Sequence, residues 1–433
     1  MIYDCLIIGA GPAGLAAAIS AKKNGLENIM LLERDNRPGG ILLQCIHNGF
    51  GLHYFSEELT GPEYAGRFVK EAEELKIQVK VSTMVLQIEK GEGENPLHKV
   101  TAINSKDGLM ILETKTVIIS TGCRERTRGA LLIPGSRPSG IFTAGSAQRF
   151  LNIDGYLPGK KVVILGSGDI GLIMARRLTL EGAEVKMVLE IMNYSAGLAR
   201  NITQCLENFN IPLRTKTTIV QIHGKDRVTG VTIASVDDHR QPIPETYEYV
   251  ECDTVLLSVG LIPENELLNP LGVNLDAVTS GPLVNQRMET SIKGIFACGN
   301  SVHVHDLVDF VTEESLLAGK SAAEYVNKRC EKISSIPLVR GNRVRYVVPQ
   351  KIDLSANEDK SENLRIMYRS TEVYRSVSVI ACAGQKELAR QKKRIIRPGE
   401  MQIIEIPYDK IMEIKDMALP VTISIELPED LID

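Results

Sequence analysis

The chain alternates short continuous apolar runs with amphipathic stretches, and this pattern predicts an α/β fold. Residues 3–8 and 29–32 are apolar runs of strand length, which is typical of strands buried on both faces. An Ala-rich segment at about residues 12–24 lies between them and predicts a helix. The strand–helix–strand order indicates a Rossmann-like unit with a crossover helix.

The same succession occurs a second time further along the chain. Residues 161–165 predict a buried strand, a helix follows to about residue 181, and residues 184–189 predict the next strand. Residues 117–122 and 255–260 close the two copies with similar β-rich runs that end in glycine. After the second copy, residues 282–285 predict a further strand, and about residues 311–328 predict a helix. A repeat of this length indicates two copies of one structural unit. We therefore predict two Rossmann-like domains, the second inserted in the first.

After about residue 335 the pattern changes to short strands separated by turn residues. Five such segments, at residues 344–349, 364–368, 377–381, 401–406 and 421–426, predict a small antiparallel β-domain. Residues 390–394 form a basic run without aromatic residues, which favours a solvated strand edge over nucleic-acid binding. The predicted domains are residues 1–155 with 265–335, residues 156–264, and residues 336–433.

Each first strand leads into a Gly-x-Gly-x-x-Gly turn, and an acid ends the next strand at the same interval in both copies. The turn glycines are Gly9, Gly11 and Gly14 in the first copy and Gly166, Gly168 and Gly171 in the second. In such a turn the middle glycine lets a pyrophosphate approach the backbone, and the helix N-terminus provides N–H groups for the phosphates. Glu33 and Glu190 are placed to accept hydrogen bonds from a ribose. Two dinucleotide sites in one chain suggest electron transfer between two dinucleotides.

Composition excludes several other classes of protein. The 433 residues carry 50 basic and 54 acidic side chains, so nothing indicates a nucleic-acid or anionic-membrane surface. No apolar run approaches the roughly 20 residues that span a bilayer. The chain enters a core strand within three residues, so we expect no signal peptide. Its 8 cysteines lack C-x-x-C spacing, which predicts no metal site and favours a cytoplasmic location.

The order of these motifs resembles the pyridine nucleotide-disulfide oxidoreductases, a superfamily of flavoproteins with two dinucleotide sites, over about residues 1–330. Residues 44–51, 121–126 and 143–148 resemble a narrower group of that superfamily. This group includes opine oxidase and dye-linked proline dehydrogenase subunits, and flavoproteins that accompany glycerol-3-phosphate dehydrogenases. The resemblance implies that the first copy binds FAD and that the inserted copy binds NAD(P)H.

The resemblance also implies which residues contact each cofactor. Those for FAD are Gly9, Gly11, Pro12, Ala13, Gly14, Glu33, Arg34, Gly40, Met84, Thr121, Gly122, Asn300, Val311 and Thr312. Those for the nicotinamide nucleotide are Gly166, Gly168, Asp169, Ile170, Gly171, Glu190 and Gly260. Asn300 stands where the family has an acid that binds the ribityl chain, and an amide can still accept that hydrogen bond. N–H groups near Val311 and Thr312 are expected to open a helix whose dipole favours the reduced flavin.

Disulfide-reducing members of the family need two thiols close in sequence. One subgroup has the pair after the Gly-Gly turn, where this chain has Cys45 alone, and another has it where residues 143–148 contain no cysteine. We therefore expect electrons to leave the flavin directly. Cys45 with His47 is the candidate catalytic pair, because a histidine can lower the pKa of a thiol. A buried thiol that lines the flavin pocket is the alternative interpretation.

Two further groups of polar residues have open roles. His303 and His305, with Asp306, could hydrogen-bond the flavin or only stabilise a turn. Three arginines of one loop could contact a phosphate or a partner, although a solvated loop with ion pairs through Glu125 is the simpler interpretation; they are Arg124, Arg126 and Arg128.

Three functional hypotheses follow. The favoured one is an FAD-dependent oxidoreductase that prefers NADH to NADPH and exchanges electrons with a second flavoprotein dehydrogenase subunit or a small acceptor, as part of an oligomer. The second is a Cys45-dependent NADH peroxidase or small-disulfide reductase. The third is a non-catalytic interaction subunit that its nucleotides only stabilise.

Overall fold

The computed structural model describes residues 1–93, 96–327, 332–355, 363–415, 417 and 419–428. The chain forms two compact units, Met1–Cys123 with Pro263–Asp433, and Arg124–Ile262. The last hundred residues therefore pack with the first Rossmann-like copy. The three functional domains drawn from the sequence, with boundaries at residues 155/156, 264/265 and 335/336, remain a prediction.

The helices and strands follow in chain order. The chain begins with β1 (Ile2–Ile8), α1 (Pro12–Lys23), β2 (Ile29–Leu32), β3 (Asn48–Phe50), β4 (Leu59–Thr60), α2 (Gly61–Glu74), β5 (Gln78–Lys80), β6 (Met84–Glu89), β7 (His98–Asn104), β8 (Gly108–Ile119) and β9 (Cys123–Glu125). It continues with α3 (Arg128–Leu131), β10 (Ile141–Thr143), α4 (Ala144–Asn152), β11 (Lys161–Leu165), α5 (Asp169–Leu180), β12 (Glu184–Leu189), α6 (Ala199–Cys205), β13 (Leu213–Arg214), β14 (Thr217–Gly224), β15 (Val228–Ser235), β16 (Glu248–Glu251), β17 (Thr254–Leu257) and β18 (Leu261–Pro263). It ends with β19 (Ile295–Ala297), α7 (Val308–Val326), β20 (Lys332–Arg340), β21 (Val344–Val348), β22 (Lys351–Ser355), β23 (Leu364–Ser370), β24 (Tyr374–Ala383), β25 (Lys386–Ile396), β26 (Gln402–Ile406), α8 (Tyr408–Met412) and β27 (Val421–Glu426).

The main sheet of the first unit has the strand order β5-β2-β1-β8-β7-β6, and β19 also pairs with β8. β1, β2, β5, β8 and β19 pair in parallel, whereas β6, β7 and β8 form an antiparallel meander. α1 and α7 pack against each other through small residues. A Cβ on Gly319 of α7 would come within 2.1 Å of the Ala17 carbonyl oxygen of α1. Glycine at this position therefore lets the two helices approach each other closely.

Strands β20 to β27 of the first unit form the predicted C-terminal β-domain. Its sheets have the orders β22-β20-β27-β24-β25 and β21-β23-β26. Every pairing in their described residues is antiparallel except that of β20 with β27. The basic run at residues 390–394 lies on β25, an edge strand, as the sequence predicted.

The second unit contains a parallel sheet of order β10-β17-β11-β12-β13 and an antiparallel sheet of order β14-β15-β16. Its main strands, β11 and β12, have the predicted bounds. The unit is therefore a second Rossmann-type fold, and the predicted fold class of two Rossmann-like domains plus a C-terminal β-domain is confirmed.

Two predicted elements differ from the structure. Residues 282–285 were predicted to be a strand, but they make only isolated bridges, Leu275 with Pro282 and Asn285 with Lys351. The helix that we predicted to open near Val311 begins three residues earlier, at Val308. Asp309 lies in its first turn, where an acid complements the helix dipole. The predicted end of this helix, Lys328, lies outside the described residues.

No helix in the described part of the chain combines the length and the apolar character needed to cross a membrane.

Candidate functional site

The fold itself requires the outer glycines of the first turn. Gly9 has a φ of +102°, and a Cβ there would lie 2.5 Å from the Ser120 carbonyl oxygen. A Cβ on Gly14 would lie 1.8 Å from the carbonyl oxygen of Gly9. Both glycines therefore allow α1 to start tightly against the end of β1.

The middle glycine faces open space. A Cβ on Gly11 would meet only the Cα of Gly40, at 3.8 Å, which is ordinary van der Waals contact. The Gly39 N–H donates to the Ala10 carbonyl at 2.8 Å and thereby holds the Gly39–Gly40 pair beside the turn. The chain's own packing gives no reason for a glycine at position 11. The open space beside it fits the close approach of a pyrophosphate.

Glu33 is buried, and the backbone of the turn orients its carboxylate. Oε2 accepts from the Ala10 N–H at 2.7 Å, and Oε1 accepts from the Asp35 N–H at 2.8 Å. A carboxylate has about four acceptor sites, so these two bonds leave capacity for ribose hydroxyls. Two other predicted FAD residues, Arg34 and Met84, are exposed. Their contacts with FAD remain predictions.

Further predicted FAD residues surround the N-terminus of α1. A Cβ on Gly299 would lie 2.9 Å from the Cβ of Ala13 and 3.2 Å from the Val311 side chain. Gly122 has a φ of +73°, with no atom within 4 Å of its Cβ position. The Thr121 hydroxyl donates to the Glu264 carbonyl at 2.7 Å. The predicted residues thus form a cradle of backbone and small side chains, which fits an extended dinucleotide.

The opening of α7 differs from the predicted one. The Val311 N–H donates to the Leu307 carbonyl at 3.5 Å, so Val311 and Thr312 already lie within the helix. Asp309, which the sequence analysis missed, is buried in the first turn. One carboxylate oxygen accepts from the His53 N–H at 3.1 Å, and the other has no hydrogen-bond partner among the described residues. The helix opening therefore presents a buried acceptor in addition to its N–H groups.

Cys45 lies in an environment that does not favour a thiolate. Its Sγ donates to the Ile41 carbonyl at 3.3 Å. Burial raises the pKa of the Cys45 thiol to about 12. His47, its proposed partner, has Nδ1 3.1 Å from the Asn48 carbonyl oxygen. A reactive cysteine needs a lowered pKa, so this environment favours the interpretation of Cys45, which is partly buried, as an unreactive thiol.

His303 and His305 form a buried cluster with Glu314, a residue that the sequence analysis did not single out. His303 Nε2 lies 3.0 Å from Glu314 Oε2, and His305 Nε2 lies 3.4 Å from the same oxygen. Burial lowers the pKa of His303. Burial opposes ionisation of Glu314, but the two histidines more than offset it and hold the pKa of that carboxyl below its usual range. The signal available in the sequence was that the residues one helical turn before and after Glu314, 310–311 and 317–318, are apolar.

Asp306 has a larger role than capping a turn. Its carboxylate binds the Arg369 guanidinium and the Met401 N–H, both in the C-terminal β-domain. Arg369 also donates to the Val304 carbonyl at 3.0 Å and to the Tyr346 hydroxyl at 3.0 Å. The C-terminal domain thereby holds the loop that carries both histidines.

The second turn repeats the arrangement of the first. Gly166 has a φ of +96°, and its Cβ would lie 2.1 Å from the Ser258 carbonyl oxygen. A Cβ on Gly171 would lie 2.8 Å from the Gly166 carbonyl oxygen. A Cβ on Gly168 would lie 3.4 Å from its nearest neighbour, Ser258 Oγ. Again the outer glycines serve the fold, and the middle one leaves room for a phosphate.

Glu190 is anchored to this second turn. Its Oε2 accepts from the Ser167 N–H at 3.1 Å and from the Ser167 hydroxyl at 2.5 Å, and its Oε1 accepts from the Met192 N–H at 3.0 Å. Asp169, at the first position of α5, accepts from the Leu198 N–H at 2.8 Å and from Asn201 Nδ2 at 2.6 Å. Ile170 follows it, partly buried, in the first turn of α5.

The cations close to Glu190 in the sheet pair with other acids. Arg214 binds Glu248 at 2.5 Å, and Lys216 binds Asp238 at 2.9 Å. Arg200 lies exposed on α6.

Two of the three loop arginines hydrogen-bond to backbone carbonyls, Arg128 through its side chain and Arg126 through its backbone N–H. Arg128 donates to the Ile133 and Gly135 carbonyls, both at 3.0 Å. The Arg126 N–H donates to the carbonyl of Gly260, a residue with a φ of +101°.

A cavity of about 540 Å³ in this unit is lined by Arg128 and Arg137 and reaches Thr143 and Leu257, at the carboxyl ends of β10 and β17. Ligands of open α/β sheets bind at this end of the strands.

Comparisons with known proteins agree with this geometry. A family model described as pyridine nucleotide-disulphide oxidoreductase matches residues 3–325. An opine oxidase subunit of Agrobacterium tumefaciens (strain Ach5) is 25% identical over 318 residues, which cover 70% of this chain and 62% of that protein. Thioredoxin reductase of Treponema pallidum (strain Nichols) is 26% identical over 337 residues, 75% of this chain and 97% of that protein.

Solved structures show the same fold. The thioredoxin reductase of T. acidophilum superposes with a TM-score of 0.62 at 24% identity, covering 76% of this chain and 99% of that one. The family model covers most of the chain, and it ends before the C-terminal β-domain. The predicted superfamily is confirmed: the chain belongs to the pyridine nucleotide-disulphide oxidoreductase family and is a flavin-dependent oxidoreductase that uses a pyridine nucleotide.

Proposed function

We propose that this protein transfers a hydride between NAD(H) and FAD and exchanges electrons directly with another protein or a small acceptor, without a thiol relay. The observation that carries the proposal is the environment of Cys45. It is the lone cysteine of its stretch of sequence, and burial raises the pKa of its thiol to about 12. The other stretch, residues 143–148, contains no cysteine and forms the start of α4.

The chain's own residues would bind and orient the two nucleotides. Gly11 and Gly40 would leave room for the FAD pyrophosphate, and Glu33 would accept hydrogen bonds from its ribose. Gly168 would leave room for a phosphate of the nicotinamide nucleotide, and Glu190 would accept hydrogen bonds from the ribose of that nucleotide. Bound flavin would supply a ring that accepts or returns a hydride and passes electrons on singly or in pairs.

The environment of Glu190 supports a preference for NADH over NADPH. The carboxylate is buried, and the nearby cations Arg214 and Lys216 pair with other acids. A 2′-phosphate beside Glu190 would place like charges about 4 Å apart, a repulsion of roughly 4 kcal/mol at an effective dielectric near 20. Solvent reduces this value, but even half of it exceeds the 1.4 kcal/mol that corresponds to a tenfold preference, about the discrimination expected here.

The relatives and the C-terminal domain support a partner protein. One relative is named as part of an opine oxidase, and this chain spans only 62% of its length, so that protein's activity is not carried over. The C-terminal β-domain lies beyond the family match. We propose that it positions the loop of residues 303–306 and contributes to assembly.

The deciding experiment is steady-state reduction of a dye by NADH in the full-length, flavin-loaded protein. Cys45→Ser should keep the wild-type rate, because electrons would not pass through the thiol. Cys382→Ser, which removes a partly buried cysteine of the C-terminal domain, is the matched control. A loss of more than about two orders of magnitude in Cys45→Ser alone, typical of an essential catalytic group, would favour the thiol-dependent alternative. No NADH oxidation by the wild type would refute the proposed use of NADH as electron donor.

A further inference from the structure

Three side chains in the first unit form a buried polar cluster beside the Gly299 turn. His303, His305 and Glu314 are 0%, 9% and 3% exposed. One ring nitrogen from each histidine and one carboxylate oxygen lie within 4.8 Å of one another. The other Glu314 oxygen accepts from the Gly299 N–H at 2.7 Å. We call this group the His303–His305–Glu314 cluster.

The hydrogen bonds of His305 fix the tautomer of its neutral ring. The Asn300 Oδ1 atom accepts a hydrogen bond from the backbone N–H of His305 at 3.0 Å, so this side-chain atom is the amide oxygen and not the amide nitrogen. His305 Nδ1 lies 3.3 Å from the same oxygen and must carry the hydrogen, because an amide oxygen only accepts. In the neutral ring, Nε2 then has a lone pair on the side of Glu314. This nitrogen has no hydrogen-bond partner among the described residues.

The cluster can therefore accept one positive charge. A buried carboxylate is stable only when a cation or several donors replace its hydration. The neighbouring guanidinium of Arg369 is engaged by Asp306, Tyr346 and two backbone carbonyls. With both histidines neutral, the charge on Glu314 has no direct counter-ion among the described residues. Either a proton on a histidine or a metal ion can supply it.

The distances favour a metal ion over a proton. Charge-assisted N–H···O bonds are about 2.7–2.9 Å long. The His305–Glu314 distance of 3.4 Å is clearly longer than that, whereas the His303–Glu314 distance of 3.0 Å is within the ordinary range of an N–H···O bond. Two ligands bound at about 2.1 Å and separated by angles of about 90–110° around a zinc ion lie about 3.0–3.4 Å apart. The two separations from the histidines to Glu314 match this spacing, and all three ligand atoms lie within 4.8 Å of one another.

We propose that the His303–His305–Glu314 cluster binds a divalent transition-metal ion. Two imidazoles and a carboxylate suit zinc and related ions, and because this ligand set contains no cysteine, the cysteine spacing that argued against a metal site does not apply to it. The hydrogen bond that His305 Nδ1 donates to Asn300 corresponds to the one that orients a ligating histidine. The ion would join α7, which carries Glu314, to the loop that follows Gly299. It would thus stabilise a turn that the family resemblance assigns to the flavin.

The first test measures the wild-type, full-length, flavin-loaded protein. After incubation with zinc chloride and desalting, we expect about one metal ion per chain by mass spectrometry, since the three ligand atoms converge on one position. X-ray absorption should show two imidazole nitrogens and an oxygen at about 2.0–2.1 Å, without sulfur. Metal-free protein after this treatment, or zinc bound to sulfur, would overturn the proposal and assign the positive charge to a proton. These readouts need no turnover, so they stand whichever way electrons leave the flavin.

Substitutions locate the ion. Glu314→Gln keeps an acceptor for the Gly299 N–H but removes the charge, and His305→Gln removes a ligand. Each should retain less than about a tenth of the wild-type metal, because affinity depends on the ligand set. His98→Gln, at an equally buried histidine outside the cluster, is the control and should keep its metal. Full metal content in Glu314→Gln and His305→Gln would refute the assignment, and if these variants fail to fold, the wild-type absorption spectrum decides.

Discussion

In the first glycine turn, the wall opposite Gly11 is the backbone of Gly39 and Gly40, held by one hydrogen bond to Ala10. In the second turn, residues 195–198 lie beside Ser167, the residue before the middle glycine. Hydrogen bonds that involve side chains hold them there. The Ser195 hydroxyl donates to the Ser167 carbonyl at 3.3 Å, and the Ala196 N–H donates to the Ser167 hydroxyl at 3.0 Å. The same Ser167 hydroxyl donates to Glu190.

We interpret this difference as one between a retained cofactor and an exchanging substrate. Around the first turn, glycines leave a groove without side chains, so a bound dinucleotide would mainly contact backbone. Around the second turn, Ser167 links the turn, Glu190 and the covering segment. Exchangeable polar contacts of this kind permit the segment to adjust as nucleotide enters and leaves. The predictions below test the comparison.

The largest expected effect is on the free energy of unfolding, because the third glycine is more crowded in the first turn than in the second. Gly14→Ala places a methyl 1.8 Å from a backbone oxygen, whereas Gly171→Ala places one 2.8 Å away. Overpacking typically destabilises by about 1–3 kcal/mol, and we expect Gly171→Ala in that range and Gly14→Ala above it. Denaturant unfolding of both variants measures this. Equal stabilities would show that the first helix can shift to accept a side chain.

The middle glycines should separate binding from folding. Gly11→Ala should leave the unfolding of flavin-free protein unchanged but weaken FAD binding by at least about tenfold, or about 1.4 kcal/mol. Gly168→Ala should keep its flavin and raise KM for NADH by a similar factor. Flavin content after dialysis and steady-state kinetics distinguish them. If Gly168→Ala loses flavin, or Gly11→Ala unfolds without it, the assignment of the two turns is wrong.

Glu190→Ala should lower the ratio of kcat/KM for NADH to that for NADPH. We expect a wild-type ratio above about ten, because even half of the charge repulsion of roughly 4 kcal/mol exceeds 1.4 kcal/mol. Glu33→Ala is the matched control in the first turn, and it should reduce flavin retention without changing this ratio. A wild type that uses NADPH equally well, with no change in Glu190→Ala, would contradict a role for Glu190 in recognising the ribose.

The smallest effect is expected for Ser167→Ala. This change removes the hydroxyl that joins Glu190 to Ala196, a loss of about 1 kcal/mol for one net hydrogen bond. We expect KM to rise a few-fold for NADH and NADPH alike, because the carboxylate that distinguishes them remains. A change in the nucleotide ratio as large as that of Glu190→Ala would mean that Ser167 orients the carboxylate.

Much of the fold follows from local sequence. The strands β2, β11, β12 and β27 have their predicted bounds, because continuous apolar runs between turn residues define buried strands clearly. The capping box at the start of α2, with Thr60 and Glu63, is likewise a local signal. The predicted strand at residues 282–285 was wrong, because a strand needs a neighbouring ladder that its own sequence does not encode.

The glycine turns and their acids could be predicted from sequence because spacing along the chain sets their positions. The opening of α7 was misplaced by three residues, because its helix start signals were weak next to an apolar run. The pKa of Cys45 depends on burial by residues distant in sequence, so the pairing with His47 could not be judged from their proximity alone.

The sequence by itself determined the two dinucleotide folds, their order and the lack of a closely spaced cysteine pair, because strand, turn and helix signals are local. Only the tertiary structure decided which atoms meet. It brought Glu314 of α7 to His303 and His305, and Arg369 of the C-terminal domain to Asp306. The physical reason is that burial and charge compensation depend on contacts between segments far apart in the chain, which no spacing along the sequence records.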